Sequence, residues 1–288
     1  MLSAADFDPE TLARVAAELA TEVGRRIREM RDVGVGVAAT KASRSDVVTD
    51  ADRRAEQLIA ERLEQVRPQD GILGEEGASS ESSSGITWVV DPIDGTVNYL
   101  YGLPGYAVSI AATVSSAAEA RGSAPPPGTT SDGRRAIAGA VYVPVTDELY
   151  VAHEGGGATL NGEPIRVSTE TELELALVAT GFGYTTERRT EQAQVVRQLI
   201  PRVRDVRRMG AASVDLCSVA SGRLDAYYER GLHPWDYAAG ALIAREAGAA
   251  ILALGDDELP GESMLIVGPP KLAASLRDAV RDAYAGLA

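Results

Sequence analysis

Cysteine is almost missing from this chain. Cys217 is the only one among 288 residues, which rules out an internal disulfide and a thiolate metal site. Histidine is nearly as scarce. His153 and His233 are the only two, too few for a His-based zinc centre, and His153 sits in a glycine-rich turn with no carboxylate neighbour to make it a ligand. Positive charge is also short: 28 Lys and Arg face 42 Asp and Glu, a formal charge of −14. That balance argues against a nucleic-acid groove or an anionic membrane surface as partner. No apolar run reaches the ~18 residues of a membrane span. Met1-Leu2-Ser3-Ala4-Ala5-Asp6 lacks the basic start and apolar core of a signal peptide, so the expected location is the cytoplasm. The remaining composition is ordinary, and the chain is long enough to bury a large core, as one big domain or two packed together.

What is present centres on Thr87–Asn98, TWVVDPIDGTVN. Thr87-Trp88-Val89-Val90 is a short apolar, β-branched run and reads as a buried strand. Pro92 has no N–H to give a sheet, so the strand is expected to stop at Asp91. Gly95 allows a tight turn, and Thr96 suits a helix N-cap. Asp91 and Asp94 can converge on a hard cation, while the N–H groups of Gly95 and Thr96 suit a phosphate. An Asx turn with a capping Thr would account for the same loop without any function.

Two further acidic stretches matter. Asp46–Asp52 (DVVTDAD) leads into a helix with Ala55, Leu58, Ile59, Leu63 and Val66 on one face. Thr49, Asp50 and Asp52 serve equally well there as first-turn caps. Gly71–Gly74 reads as a short strand running into Glu75-Glu76. Adjacent like charges are a poor structural choice without a cation, though two solvated loop residues remain the alternative. Downstream, Trp235-Asp236-Tyr237-Ala238-Ala239-Gly240 follows Pro234, which fits the first turn of a helix. Asp236 is favoured at that position even without a metal. With only oxygen ligands on offer, Mg²⁺ is selected over zinc or copper. Glu229 ends a strand seven residues before Asp236, so both can face one cavity. Pairing of Glu229 with Arg230 is its alternative.

Periodicity predicts helices over Pro9–Met30, Glu187–Ile200, Ser213–Ser221 and Leu272–Leu287, and a strand over Leu173–Thr180. Asn161-Gly162 signals a hairpin. Ala78–Gly85 (ASSESSSG) reads as flexible, a possible flap over the site. Ser115–Arg135 reads as a disordered surface insertion, from which Ala124–Gly128 could be removed at little cost in stability. Arg197, Arg202, Arg204, Arg207 and Arg208 read as a solvated face, with phosphate steering or a subunit contact as the lesser reading. The small residues Gly210-Ala211-Ala212 let a ligand approach backbone. Helices, then strands, then alternating strands and helices suit two layered subdomains, an N-terminal α+β part (1–166) and a C-terminal α/β part (167–288).

Asp91-Pro92-Ile93-Asp94-Gly95-Thr96, with Gly74-Glu75-Glu76 and Trp235–Gly240 in order around it, resembles the signature of the inositol monophosphatases. These are Mg²⁺-dependent, lithium-sensitive phosphatases related to fructose-1,6-bisphosphatase. The stretch Asp225-Ala226-Tyr227-Tyr228-Glu229 is similar to the bacterial inositol-1-monophosphatase branch. The resemblance runs from about Lys41 to the C-terminus, departing at Ser115–Arg135, where a tight turn is the family pattern. It implies an αβαβα sandwich and a homodimer. It also implies that Glu75, Asp91, the Ile93 carbonyl, Asp94 and Asp236 hold two or three Mg²⁺ ions, with Glu76 and Lys41 behind them and Li⁺ as inhibitor. Thr96, Asp52 and Glu75 are the implied catalytic group; Asp52, from the pattern Asp46, Thr49, Asp52, pairs with Thr96 to orient the attacking water. Ile93, Asp94, Gly95 and Thr96 would meet the phosphate, and Gly210, Ala211, Ala212, Glu229 and Asp236 the alcohol. The implied substrate is myo-inositol 1-phosphate, with histidinol phosphate, fructose 1,6-bisphosphate and 3′-phosphoadenosine 5′-phosphate as the choices of related branches. A non-catalytic interaction protein on this fold would betray itself by lost ligands, and every acidic position matches.

Overall fold

The computed structural model of the protein describes residues 8–33, 37–40, 47–116 and 125–287. Helix α1 (Pro9–Val33) opens it, capped by Asp8, whose carboxylate accepts from the N–H and hydroxyl of Thr11. An antiparallel pair, β1 (Val37–Thr40) and β2 (Val47–Thr49), leads into α2 (Asp50–Val66). Then follow β3 (Gly71–Gly74), β4 (Ser79–Ser80), β5 (Ile86–Asp94), α3 (Thr96–Tyr101), β6 (Ala107–Ser115), β7 (Arg134–Val143), β8 (Glu148–His153), β9 (Gly157–Leu160) and β10 (Glu163–Pro164). From β3 onward these strands form one sheet, ordered β10-β9-β8-β7-β6-β5-β3-β4. The rest of the chain supplies β11 (Leu177–Thr180), α4 (Thr186–Leu199), β12 (Asp205–Arg207), α5 (Ala212–Ala220), β13 (Ala226–Glu229), α6 (Pro234–Glu246), β14 (Ala250–Leu252), β15 (Leu265–Gly268) and α7 (Pro270–Ala285). Its strands make a second sheet, ordered β12-β11-β13-β15-β14.

Strand alternation sets the layers. On β6, Val108, Ile110 and Ala112 pack with Leu12, Leu19, Val23 and Ile27 of α1 and Ile59 and Leu63 of α2. Ala107 and Ala111 face the other way, onto Leu216 of α5 and Ala239, Leu242 and Ile243 of α6. The second sheet repeats the device: Ala179, Tyr227, Leu265 and Val267 meet that same α5–α6 layer. Val178, Ala226, Tyr228 and Ile266 instead pack with Val195 and Leu199 of α4 and Leu272, Leu276 and Val280 of α7. The result is α1/α2, sheet, α5/α6, sheet, α4/α7: the αβαβα sandwich. Since α5 and α6 are covered on both sides by sheets, their apolar residues run around the helix rather than along one stripe.

Several local expectations need correction. The strand does not stop at Asp91: β5 continues to Asp94. Its pairing with β6 slips between Asp91 and Asp94, and Pro92 falls in that irregularity, where no ladder donor is required. Thr96 is not the N-cap of α3. Gly95 takes that place at φ +88°, and the Thr96 hydroxyl turns elsewhere. Ala78–Gly85 is not a loose flap. Ser79–Ser80 pairs with β3, the Ser83 and Ser84 N–H groups donate to Gln69 O, and the Ser84 hydroxyl donates to Asp70. Leu173–Leu175 forms a 3₁₀ turn ahead of β11 rather than strand. Within the predicted insertion, residues 125–133 pack onto the body. Thr129 is buried, and its hydroxyl donates to Pro126 O and bonds the Ser116 hydroxyl. The Asn161-Gly162 hairpin forms as expected, with both residues at positive φ joining β9 to β10.

Candidate active site

The slip in β5 carries Asp91, Ile93 and Asp94 onto the wall of a cavity of about 440 Å³. Glu75, Gly95, Thr96, Gly210, Ala211, Ala212, Glu229 and Asp236 line the same cavity. Residues predicted from segments far apart in sequence are therefore gathered in one place. Asp52 stands behind this wall, fully buried, and Glu76 lies beyond it. Lys41 falls outside the described residues.

Asp91, Asp94 and Asp236 each offer an oxygen, and these oxygens lie within 4.8 Å of one another. Asp91 and Asp94 are buried, and Asp236 is half-buried at the start of α6. Each also makes a structural bond. Asp91 Oδ1 accepts from Ile93 N at 3.0 Å, the Asx turn that the sequence suggested. Asp236 Oδ2 accepts from His233 N at 2.6 Å, closing a capping box. Asp94 Oδ2 accepts from both the N–H and the hydroxyl of Ser213, at 2.7 and 2.5 Å. A carboxylate can accept about four bonds, so the structural bonds leave capacity for a cation. Burial, then the charge of Glu75, pushes the carboxyls of Asp91 and Asp236 well above the usual carboxylate range, with Asp94 adding to both. Burial raises Asp94 too, against the lowering effect of Ser213. Three crowded carboxylates with all-oxygen donors fit a hard divalent ion such as Mg²⁺. Glu75 reaches this group through Asp91, with which it shares a hydrogen bond.

Thr96 links the cluster to Asp52. Its hydroxyl lies 3.1 Å from Asp52 Oδ1 and 3.1 Å from Ile93 O, and donates to them. The other oxygen of Asp52 takes the N–H and hydroxyl of Thr49, closing the capping box of α2. Capping and Thr96 pairing, open alternatives in the sequence, occupy different oxygens of one side chain. Burial raises Asp52 to about 6, opposed by the Thr49 bonds and helped by Glu76 and Glu75.

At the other end stands Glu229. It does not pair with Arg230, which bonds Glu191 instead. Glu229 Oε2 accepts from Tyr227 OH at 2.5 Å, and burial raises its carboxyl to about 7. Gly181, just past β11, makes room for it: a Cβ there would lie 1.9 Å from Glu229 Oε2. Gly95 is required for a similar reason, since its φ is +88° and a Cβ would come within 2.9 Å of Gly105 O.

Three participants escaped the sequence, and a fourth entered it only under a lesser reading. Ser213 clamps Asp94 from α5. Glu56, buried on α2, accepts from the N–H groups of Glu76 and Ala78 and so holds the acidic turn. Asp215 lines the cavity. Arg208 also lines it, and its charge lowers Asp94, Glu229 and Asp215. The solvated-face reading thus fails for Arg208, while Arg202 and Arg207 do pair at the surface with Asp282 and Asp205. None of the four belongs to a motif; the sequence offered the serine's place in the first turn of a helix and, for Arg208, phosphate steering as the lesser reading of its arginine run.

Comparison with known proteins agrees with this geometry. The family model described as "Inositol monophosphatase family" matches residues 8–120 and 130–284. The inositol-1-monophosphatase of Mycobacterium leprae is 40% identical over 295 residues, covering 96% of this chain and 95% of that protein. A protein of Escherichia coli K12 named Nus factor SuhB is 34% identical over 94% of this chain and 98% of its own. The crystal structure of the extragenic suppressor protein SuhB from Bartonella henselae superposes with a TM-score of 0.81 at 32% identity, covering 94% of this chain and 98% of that one. With a family model spanning nearly all of it and relatives aligned almost end to end, this chain belongs to the inositol monophosphatase family.

Proposed function

We propose that the protein is a Mg²⁺-dependent phosphomonoesterase that hydrolyses myo-inositol 1-phosphate to inositol and phosphate. The observation that carries this reading is the single cavity joining the Asp91–Asp94–Asp236 cluster to Glu229. Mg²⁺ held by Glu75, Asp91, the Ile93 carbonyl, Asp94 and Asp236 would supply Lewis-acid charge, activating water and offsetting charge on the phosphate and the departing alkoxide. The chain does the positioning. Because the Thr96 proton is given to Asp52 or Ile93 O, the hydroxyl oxygen is left to accept from the attacking water. Gly95 and Thr96 open α3, where the first N–H groups have no intrahelical acceptor and can hold phosphate oxygens. Glu229 and the backbone of Gly210, Ala211 and Ala212 face the alcohol. Li⁺ competing for the same carboxylates would inhibit.

The test is phosphate release, with and without Mg²⁺, from myo-inositol 1-phosphate, histidinol phosphate, fructose 1,6-bisphosphate and 3′-phosphoadenosine 5′-phosphate. Fastest release from the inositol ester, abolished by EDTA, is expected. Arg188 and Arg208 line the cavity with no ion pair among the described residues. They favour a second reading, a substrate with a second anionic group, which would show as preference for a bisphosphate. No release from any ester would favour the non-catalytic role. Homodimerisation is proposed alongside. Tyr101, Leu103 and Met209 are 75%, 52% and 45% exposed, and Asn98 ties their loops together by donating to Gly105 O and Met209 O. Light scattering after chromatography would detect the dimer.

A further inference from the structure

We propose that Asp215 is a substrate-contacting residue which, together with Glu229, exchanges hydrogen bonds with hydroxyls of the alcohol part of the ester. The inference rests on the reading of the cavity as a polyol-phosphate site. Asp215 is 1% exposed, yet it lines the cavity. Its side chain has no hydrogen-bond partner among the described residues, and its Oδ1 is both buried and unpaired. Leaving a buried polar group unsatisfied costs about 1–3 kcal/mol, and more for a charge. Nothing in the fold needs it there: the backbone N–H of Asp215 bonds Ala211 O as any residue of α5 could. That bond places Asp215 one turn beyond Ala211, on the side of the helix that meets the cavity.

The surroundings narrow the ligand. Asp215 stands outside the cluster formed by Asp91, Asp94 and Asp236, so it is not one more member of the cation site. The charges it feels are mixed, the carboxylates of Glu229 and Asp94 against the guanidinium of Arg208, so this end of the cavity presents neither a phosphate nor an ammonium group with a field of one sign. A carboxyl accepts hydrogen bonds when ionised and both donates and accepts when protonated, so it can pair with a hydroxyl in either state. Two such groups at one end of the cavity suit neighbouring hydroxyls of a polyol.

The test compares Asp215→Leu and Asp215→Asn with the unaltered full chain. It reads the ratio of kcat/KM for myo-inositol 1-phosphate to that for 4-nitrophenyl phosphate, which has no ring hydroxyls. The ratio should fall about tenfold in the Leu variant, mainly through KM, and less in the Asn variant, which keeps an acceptor. Both variants should melt at or above the wild-type temperature, because an unsatisfied carboxyl has gone. If Asp215→Leu does not fold, Asp215→Asn carries the test alone, and a fall of threefold or more supports the contact. An unchanged ratio overturns the proposal. If the wild type prefers another polyol ester, such as glycerol 2-phosphate, the inositol reading fails. Asp215 is then judged by the same ratio for that ester.

Discussion

At the scale of single residues, the acidic side chains each answer to two demands. Asp91, Asp236 and Asp52 make the turn or cap bond that local sequence suggests, and they also face the cavity or Thr96. The structural and chemical readings were legible, but not their coexistence, because a sequence does not say which oxygen goes where. Asp94 differs. Its clamp, Ser213, lies 119 residues away, and no local pattern could reveal it. Asp94→Asn should nearly abolish turnover by removing a charge from the cation site, and metal-free melting should hold or rise because repulsion is relieved. Ser213→Ala should be milder, raising the Mg²⁺ concentration for half-maximal rate severalfold while saturating Mg²⁺ restores most of kcat. Normal turnover in Asp94→Asn would remove it from the site. An unaltered Mg²⁺ titration in Ser213→Ala would make the clamp purely structural.

At the scale of elements, regular segments read well and their interruptions did not. Helical spacing on α1 and α7 reports real faces. The break at Pro92 was misread because a missing donor is visible in sequence, whereas the slip that accommodates it depends on β6. The serine-rich and proline-rich loops were misread for a related reason. Low complexity says nothing about whether hydroxyls find partners, and here Asp70, Gln69 and Pro126 supply them. The described part of the second loop is therefore expected to contribute to stability, where the sequence suggested little cost on its removal. Gly128 packs so close to Arg245 that a Cβ would overlap its guanidinium, and Ser131 N donates to Pro260 O. Thr129→Ala removes a buried hydroxyl and leaves Ser116 without that partner. It should cost about 1–3 kcal/mol, visible as a melting drop of several degrees. A melt within one degree of wild type, within about the error of the measurement, would return the loop to the surface.

At the scale of the molecule, the cavity draws on both sheets and the helical layer between them. Asp91 and Asp94 come from the first sheet, Glu229 from the second, and Asp236 from α6 in the middle. Binding a cation there would join the halves, and the acidic groups make that linkage depend on pH. Asp52 rises from its ordinary 3.8 to about 6, and Glu229 from 4.5 to about 7, both chiefly by burial. Between about pH 4 and 7 the folded state thus holds protons that the unfolded state has lost. Stability from these groups is fully present below the unfolded value and falls as pH rises through the folded one. The displacement of Asp52 alone corresponds to about 3 kcal/mol. Asp91 and Asp236 are also raised, again chiefly by burial, and act in the same direction. Metal-free protein should therefore melt higher at about pH 5 than at about pH 8. Mg²⁺ binds the ionised carboxylates, so its stabilisation should run the other way, small at the lower pH and large at the higher. Thermal melts at both pH values, with and without millimolar Mg²⁺, test the two slopes together. A metal-free melting temperature that does not fall toward pH 8 would contradict the buried-carboxyl account. A Mg²⁺ shift independent of pH would place the ion away from Asp91, Asp94 and Asp236.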